Sequence, residues 1–145
     1  MSGNARLAFV ASDSPEAQEA LSSLVLRFGS VALSDADIIV ALGGDGFMLE
    51  TLHSTQYLER PVYGMNCGTV GFLMNEYQEV DLMARLKNAE EETLFPLRMR
   101  AVRADGSIHN ALAINEVSLI RAGPQAARLK VSVDGKVRIS ELVCD

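Results

Sequence analysis

The sequence predicts an α/β protein: an N-terminal Rossmann-like parallel-sheet domain followed by the start of an antiparallel β-rich domain. Three observations carry this. Short apolar runs alternate with helical stretches through the first part of the chain, the run Ile38-Ile39-Val40-Ala41-Leu42 stops at Gly43-Gly44-Asp45-Gly46, and from Leu94 onward the apolar period falls to two. The change of period divides the chain into an α/β domain, 1–93, and a partial antiparallel β domain, 94–145.

The elements follow in order. Leu7 to Ala11 is a first strand, and Ser14-Pro15-Glu16 supplies an N-cap, a proline at the first helical position and an acid in the first turn. Ala17, Ala20, Leu21, Leu24 and Phe28 recur at helical spacing, with Gly29 at the left-handed terminus. Val31-Ala32-Leu33 reads as a short strand, and a polar loop from Ser34 to Asp37 leads into the central strand. After the glycine turn, Phe47 to His53 reads as a helix with Met48, Leu49 and Leu52 on one face. Pro61 to Asn66 is a further strand, ending in a second glycine-rich turn from Cys67 to Leu73. Two such turns at strand ends either line one crevice or are ordinary βα loops.

Glu79 to Asn88 repeats the helical pattern through Leu82, Met83 and Leu86, and Glu90-Glu91-Glu92 is its solvated end. Leu97, Met99 and Ala101 then alternate with Arg98 and Arg100, Asp105-Gly106 marks a hairpin, and Ile108 to Ala113 returns. Leu129, Val131 and Val133 alternate likewise, with a second hairpin at Asp134-Gly135 leading to Val137 and Ile139. Asn115-Glu116 interrupts an apolar run from Leu112 to Ile120. Read as strand, the pair points to opposite faces, either into a ligand cleft or along a partly exposed strand.

Composition narrows the function. At 145 residues and 48% apolar content the chain has one domain's usual length and enough apolar residues for a core. The net charge of -6 argues against a nucleic-acid surface, and apolar runs fall far short of the roughly 20 residues that span a bilayer. Leu7 to Ala11 is too short for an exported leader, and Cys67 and Cys144 stand without metal-ligand spacing, so a reducing cytoplasm is expected. A phosphate ligand must then be held by backbone amides, local cations or a divalent metal ion.

The glycine turn offers those amides: its backbone admits close approach, and the following helix N-terminus carries unpaired N–H groups and partial positive charge. Asp45 repels phosphate, so it either accepts the proton of a hydroxyl that attacks phosphorus or satisfies local backbone N–H groups.

Taken together, Gly43-Gly44-Asp45-Gly46, the stretch Gly64-x-Asn66-x-Gly68-x-x-Gly71-Phe72-Leu73 and Asn115-Glu116 resemble the NAD kinase family, in order and spacing across the whole chain. The resemblance implies transfer of a phosphoryl group to the adenosine 2′-hydroxyl of NAD, giving NADP, with ATP and a divalent cation such as Mg2+ as usual donor and polyphosphate in some members. It implies Asp45 as the proton acceptor, with Gly46 beside it in the NAD site and the amides of Gly43, Gly44 and Gly46 facing phosphate. Phe72 falls where the family places a residue against the adenine, Asn115 and Glu116 match its Asn-acid pair, and Asp145 matches a further Asp of the NAD site. Homo-oligomers are implied as well. Phe47 stands where the family commonly has a small hydroxyl residue. Family members also continue beyond the point where this chain stops, so an interruption inside the β domain is expected. Other readings of the same turn are a lipid kinase of the diacylglycerol or sphingosine type and a non-catalytic nucleotide-binding module.

Overall fold

The computed structural model describes residues 5–68 and 71–145. Strands β1 (Leu7–Ala11), β2 (Ile38–Gly43), β3 (Val62–Asn66) and β4 (Asn75–Glu76) form one parallel sheet in that order, with helices α1 (Pro15–Phe28), α2 (Asp45–Thr55) and α3 (Leu82–Asn88) between or after them. The expected succession of parallel and then antiparallel architecture is what the chain adopts.

Helix α1 forms as its signals dictate. The Ser14 hydroxyl accepts the Ala17 N–H at 3.2 Å, Pro15 fills the first turn, and Gly29 at φ 72° ends the helix with its N–H on the Val25 carbonyl. Ala17, Ala20 and Leu24 are buried against Leu7, Phe9, Val40, Leu42 and Met65, which line one sheet face together with Leu82 of α3. Residues of opposite parity, Ala8 and Ile39, bury the other face with Ala36. Helix α2 reaches that second face at Gly64, where an added Cβ would come within 3.1 Å of the Met48 sulfur.

Four expectations are corrected. Val31–Leu33 is not a strand: Leu33–Asp35 is a 3-10 turn, because the Asp35 N–H closes onto the Ala32 carbonyl instead of a ladder. Only its start behaves as an edge, with the Val31 N–H on the Leu7 carbonyl at 2.9 Å and the Phe9 N–H on the Ser30 hydroxyl. In α2 the buried line is Met48, Thr51 and Thr55, not Met48, Leu49 and Leu52. The threonines can be buried because each hydroxyl donates back to the carbonyl four residues earlier, Thr51 to Phe47 and Thr55 to Thr51. Helix α3 starts at Leu82 instead of Glu79, since Asp81 takes the left-handed φ of 55°. Finally, Asn115-Glu116 is not in a strand.

That last correction follows from where the hairpins end. β5 (Leu97–Val102) pairs with β6 (Ile108–Ala113), and β7 (Ala127–Val133) pairs with β8 (Lys136–Cys144), each a two-stranded antiparallel sheet. Ala113 pairs with Leu97 at the last rung of its ladder, and Asn115 and Glu116 lie beyond it in irregular backbone. Asp134 and Gly135, at φ 50° and 75°, make a two-residue turn of the kind that matches strand twist. By backbone contacts the chain forms two compact units, 1–115 and 116–145.

Candidate active site

The strands follow one another across the sheet in chain order, with the Val31 N–H on the Leu7 carbonyl at the free edge of β1. In open parallel sheets ligands sit outside the carboxyl ends of the strands. At those ends lie Ser12 to Ser14 after β1 and Gly43 to Gly46 after β2, tied by the Ser12 N–H on the Leu42 carbonyl at 2.9 Å.

The glycine turn is built for close approach. Gly43 ends β2, Gly44 is the extended N-cap of α2, Asp45 is its first residue, and Gly46 is exposed in its first turn. No side chain caps α2 among the described residues. The first-turn N–H groups and the helix dipole therefore present a partial positive charge at the carboxyl end of the sheet. Phe47 packs onto Gly43, where an added Cβ would stand 2.9 Å from its own Cβ.

Asp45 joins this turn to the second one. Its Oδ2 accepts the Phe72 N–H at 2.8 Å and its Oδ1 accepts the Leu73 N–H at 3.0 Å, from donors 27 and 28 residues further along the chain. The carboxylate does satisfy backbone N–H groups, but distant ones. A second tie runs from the Cys67 N–H to the Gly43 carbonyl at 2.9 Å. The two turns are thus tied directly to each other. Thr69 and Val70, inside the second turn, lie outside the described residues. The Phe72 ring is fully exposed beside Asp45's donors. The role of the Phe72 and Leu73 amides escaped sequence reading, although Gly71 immediately before them was a usable signal.

The remaining site residues sit elsewhere in the chain. Asn115 closes the first unit and is exposed, as is Glu116, which opens the second. Asp145, in that second unit, pairs with Arg121 at 3.2 Å.

A separate hollow of about 470 Å³ lies on the α1 face, lined by Glu16, Glu19, Asn66, Cys67, Tyr77 and Glu79. Burial, then the hydrogen bond to Glu79, raises the Tyr77 phenol well above its ordinary value, and burial also raises the Cys67 thiol. Glu79 is held below the usual carboxylate range, chiefly by the Tyr77 hydroxyl. The three carboxylates Glu16, Glu19 and Glu79 make this hollow unsuited to phosphate. Among the described residues no group of three His, Cys, Asp or Glu could hold a metal ion, and no helix is long and apolar enough to cross a membrane.

Fold and site define a class: a parallel α/β protein with a glycine turn that carries a carboxylate at the carboxyl end of its sheet. Residues 4–91 match the family model for the ATP-NAD kinase N-terminal domain. The chain belongs to the NAD kinase family. It is 65% identical to an NAD kinase of Cereibacter sphaeroides over 97% of its length and 55% of that protein's. It is 57% identical to the NAD kinase of Caulobacter vibrioides and 54% identical to that of Rhizobium meliloti, covering 97% and 96% of this chain and 54% of each relative. The chain thus spans about half the length of these relatives.

Proposed function

We propose that the protein carrying this chain is an NAD kinase that phosphorylates the adenosine 2′-hydroxyl of NAD with ATP, giving NADP. The observation that carries the reading is Asp45, a carboxylate at the first position of α2 with both oxygens oriented by backbone amides. A carboxylate accepts two further hydrogen bonds beyond these two, enough to take the proton of the 2′-hydroxyl. The glycine-turn amides and the α2 dipole neutralise donor phosphate, so that catalysis is mostly positioning and charge stabilisation.

In this reading the divalent cation, Mg2+, arrives on the donor's phosphates, as that ion commonly does. When bound there it supplies charge neutralisation across the phosphates. Phe72 stacks on the adenine, for which its exposed ring is available. Gly46, Asn115, Glu116 and Asp145 are each NAD-contacting residues in this reading, supported by their match to the family's motifs. The division into domains at residue 93, a homo-oligomer and a cytoplasmic setting belong to the same proposal.

Asp45→Asn tests it. Turnover is expected to fall by about 10²–10⁴-fold, the usual worth of a positioned general base, with NAD affinity far less affected. Unchanged turnover removes Asp45 from the chemistry, and lipid phosphorylation without conversion of NAD to NADP turns the assignment to a lipid kinase.

A further inference from the structure

Gly71 stands where no other residue fits. A Cβ placed on it would lie 2.3 Å from Asp45 Oδ1 and 2.5 Å from Asp45 Cγ, closer than any real contact, and its neighbours Phe72 and Leu73 supply the two amides that hold the carboxylate. The obstruction is not the end of a long, yielding side chain. It is a short carboxylate whose two oxygens are both hydrogen-bonded, attached to the first residue of a helix. A side chain at 71 must therefore either push the turn away from Asp45 or rotate the carboxylate off its donors.

We infer that Gly71 is a positioning residue: its missing side chain lets the Phe72 and Leu73 amides fix the plane of the Asp45 carboxylate for the attacking hydroxyl. This rests on the kinase reading of Asp45. Two parallel N–H donors, one per oxygen, set both the tilt and the rotation of the carboxylate, which a single donor leaves free. The lone pairs left over are then held in one orientation. Positioning of this kind acts on turnover more than on substrate binding, because a small misplacement of a reacting group is felt mainly in the transition state. Gly71 itself touches neither substrate nor phosphate in this account; it acts through Asp45.

The test uses Gly71→Ala and Asp45→Asn beside the wild-type protein, with amide hydrogen exchange and the kinetics of NAD phosphorylation as readouts. Exchange at Phe72 and Leu73 is expected to accelerate about tenfold or more in both variants, the worth of a hydrogen bond to a charged acceptor. In Gly71→Ala the kcat is expected to fall by about 10²-fold while KM for NAD stays within about threefold, and thermal unfolding remains cooperative. Equal exchange at these amides in wild type and Asp45→Asn overturns the inference even if Gly71→Ala fails to fold. So does a Gly71→Ala protein with wild-type kcat beside an inactive Asp45→Asn, which leaves the kinase reading standing. A wild-type protein that transfers no phosphoryl group to NAD overturns both, and the wild-type assay alone identifies that case.

Discussion

Arg6 and Asp37 close the amino-terminal edge of the sheet. The Arg6 guanidinium grips both carboxylate oxygens, its backbone N–H adds a third bond at 2.9 Å, and the Asp37 N–H returns to the Arg6 carbonyl. These bonds, the side-chain one foremost, hold the Asp37 carboxyl at about 2 instead of 3.8. A carboxyl depressed by folding stabilises the fold fully above its unfolded value, and that stabilisation is lost as pH falls through the folded one. The window is therefore between pH 3.8 and about 2. Acid unfolding followed by circular dichroism should show the wild type more stable than Asp37→Asn above this window and the two converging at its lower end. The pair is solvent-exposed, so the difference should shrink in high salt. At this scale Asp45 was legible because an acid among glycines is chemically out of place. Its donors were not, because nothing in local spacing connects position 45 to positions 72 and 73.

Helix α1 shows what local sequence fixes at the scale of elements. Cap, proline, apolar spacing and terminal glycine agree with one another, and the helix forms between them. Ser14→Ala should lower stability by about 1 kcal/mol through the lost cap, and Leu24→Ala, at 0% exposure, by about 2–5 kcal/mol, both read by chemical denaturation. The other elements show where legibility ended. Thr51 and Thr55 are polar by composition, yet their hydroxyls are satisfied within α2, so the buried face of that helix could not be read from hydropathy. Val31–Leu33 carries strand formers but lies where only its first amide meets β1. Asn115-Glu116 sits in an apolar run that looks like a strand, and only the register of β5 on β6 shows that pairing has already ended. The threonines depend on side-chain bonds within their own helix and the other two on strand pairing remote in sequence, and periodicity contains neither.

Across the whole chain, burial is uneven. The residues at or near zero exposure come from β1–β3, the helices and Ala36 just before β2, whereas the β5–β6 and β7–β8 hairpins leave Leu97, Ile108, Leu112, Val137 and Ile139 more than two-fifths exposed. Two-stranded hairpins are marginal alone. Amide exchange should accordingly be fastest through β7 and β8 and slowest through β2, and slow exchange in β8 would contradict this distribution of stability. The exposed apolar rows also predict concentration-dependent association of the 145-residue polypeptide, measurable by light scattering. Replacing a reactive acid commonly strengthens a fold, since chemistry and robustness tend to be in conflict. Here the Asp45 carboxylate fastens two loops, so under the proposed chemistry Asp45→Asn should lower the melting temperature along with the rate. A lineage without the proposed reaction would therefore still have a reason to keep the acid.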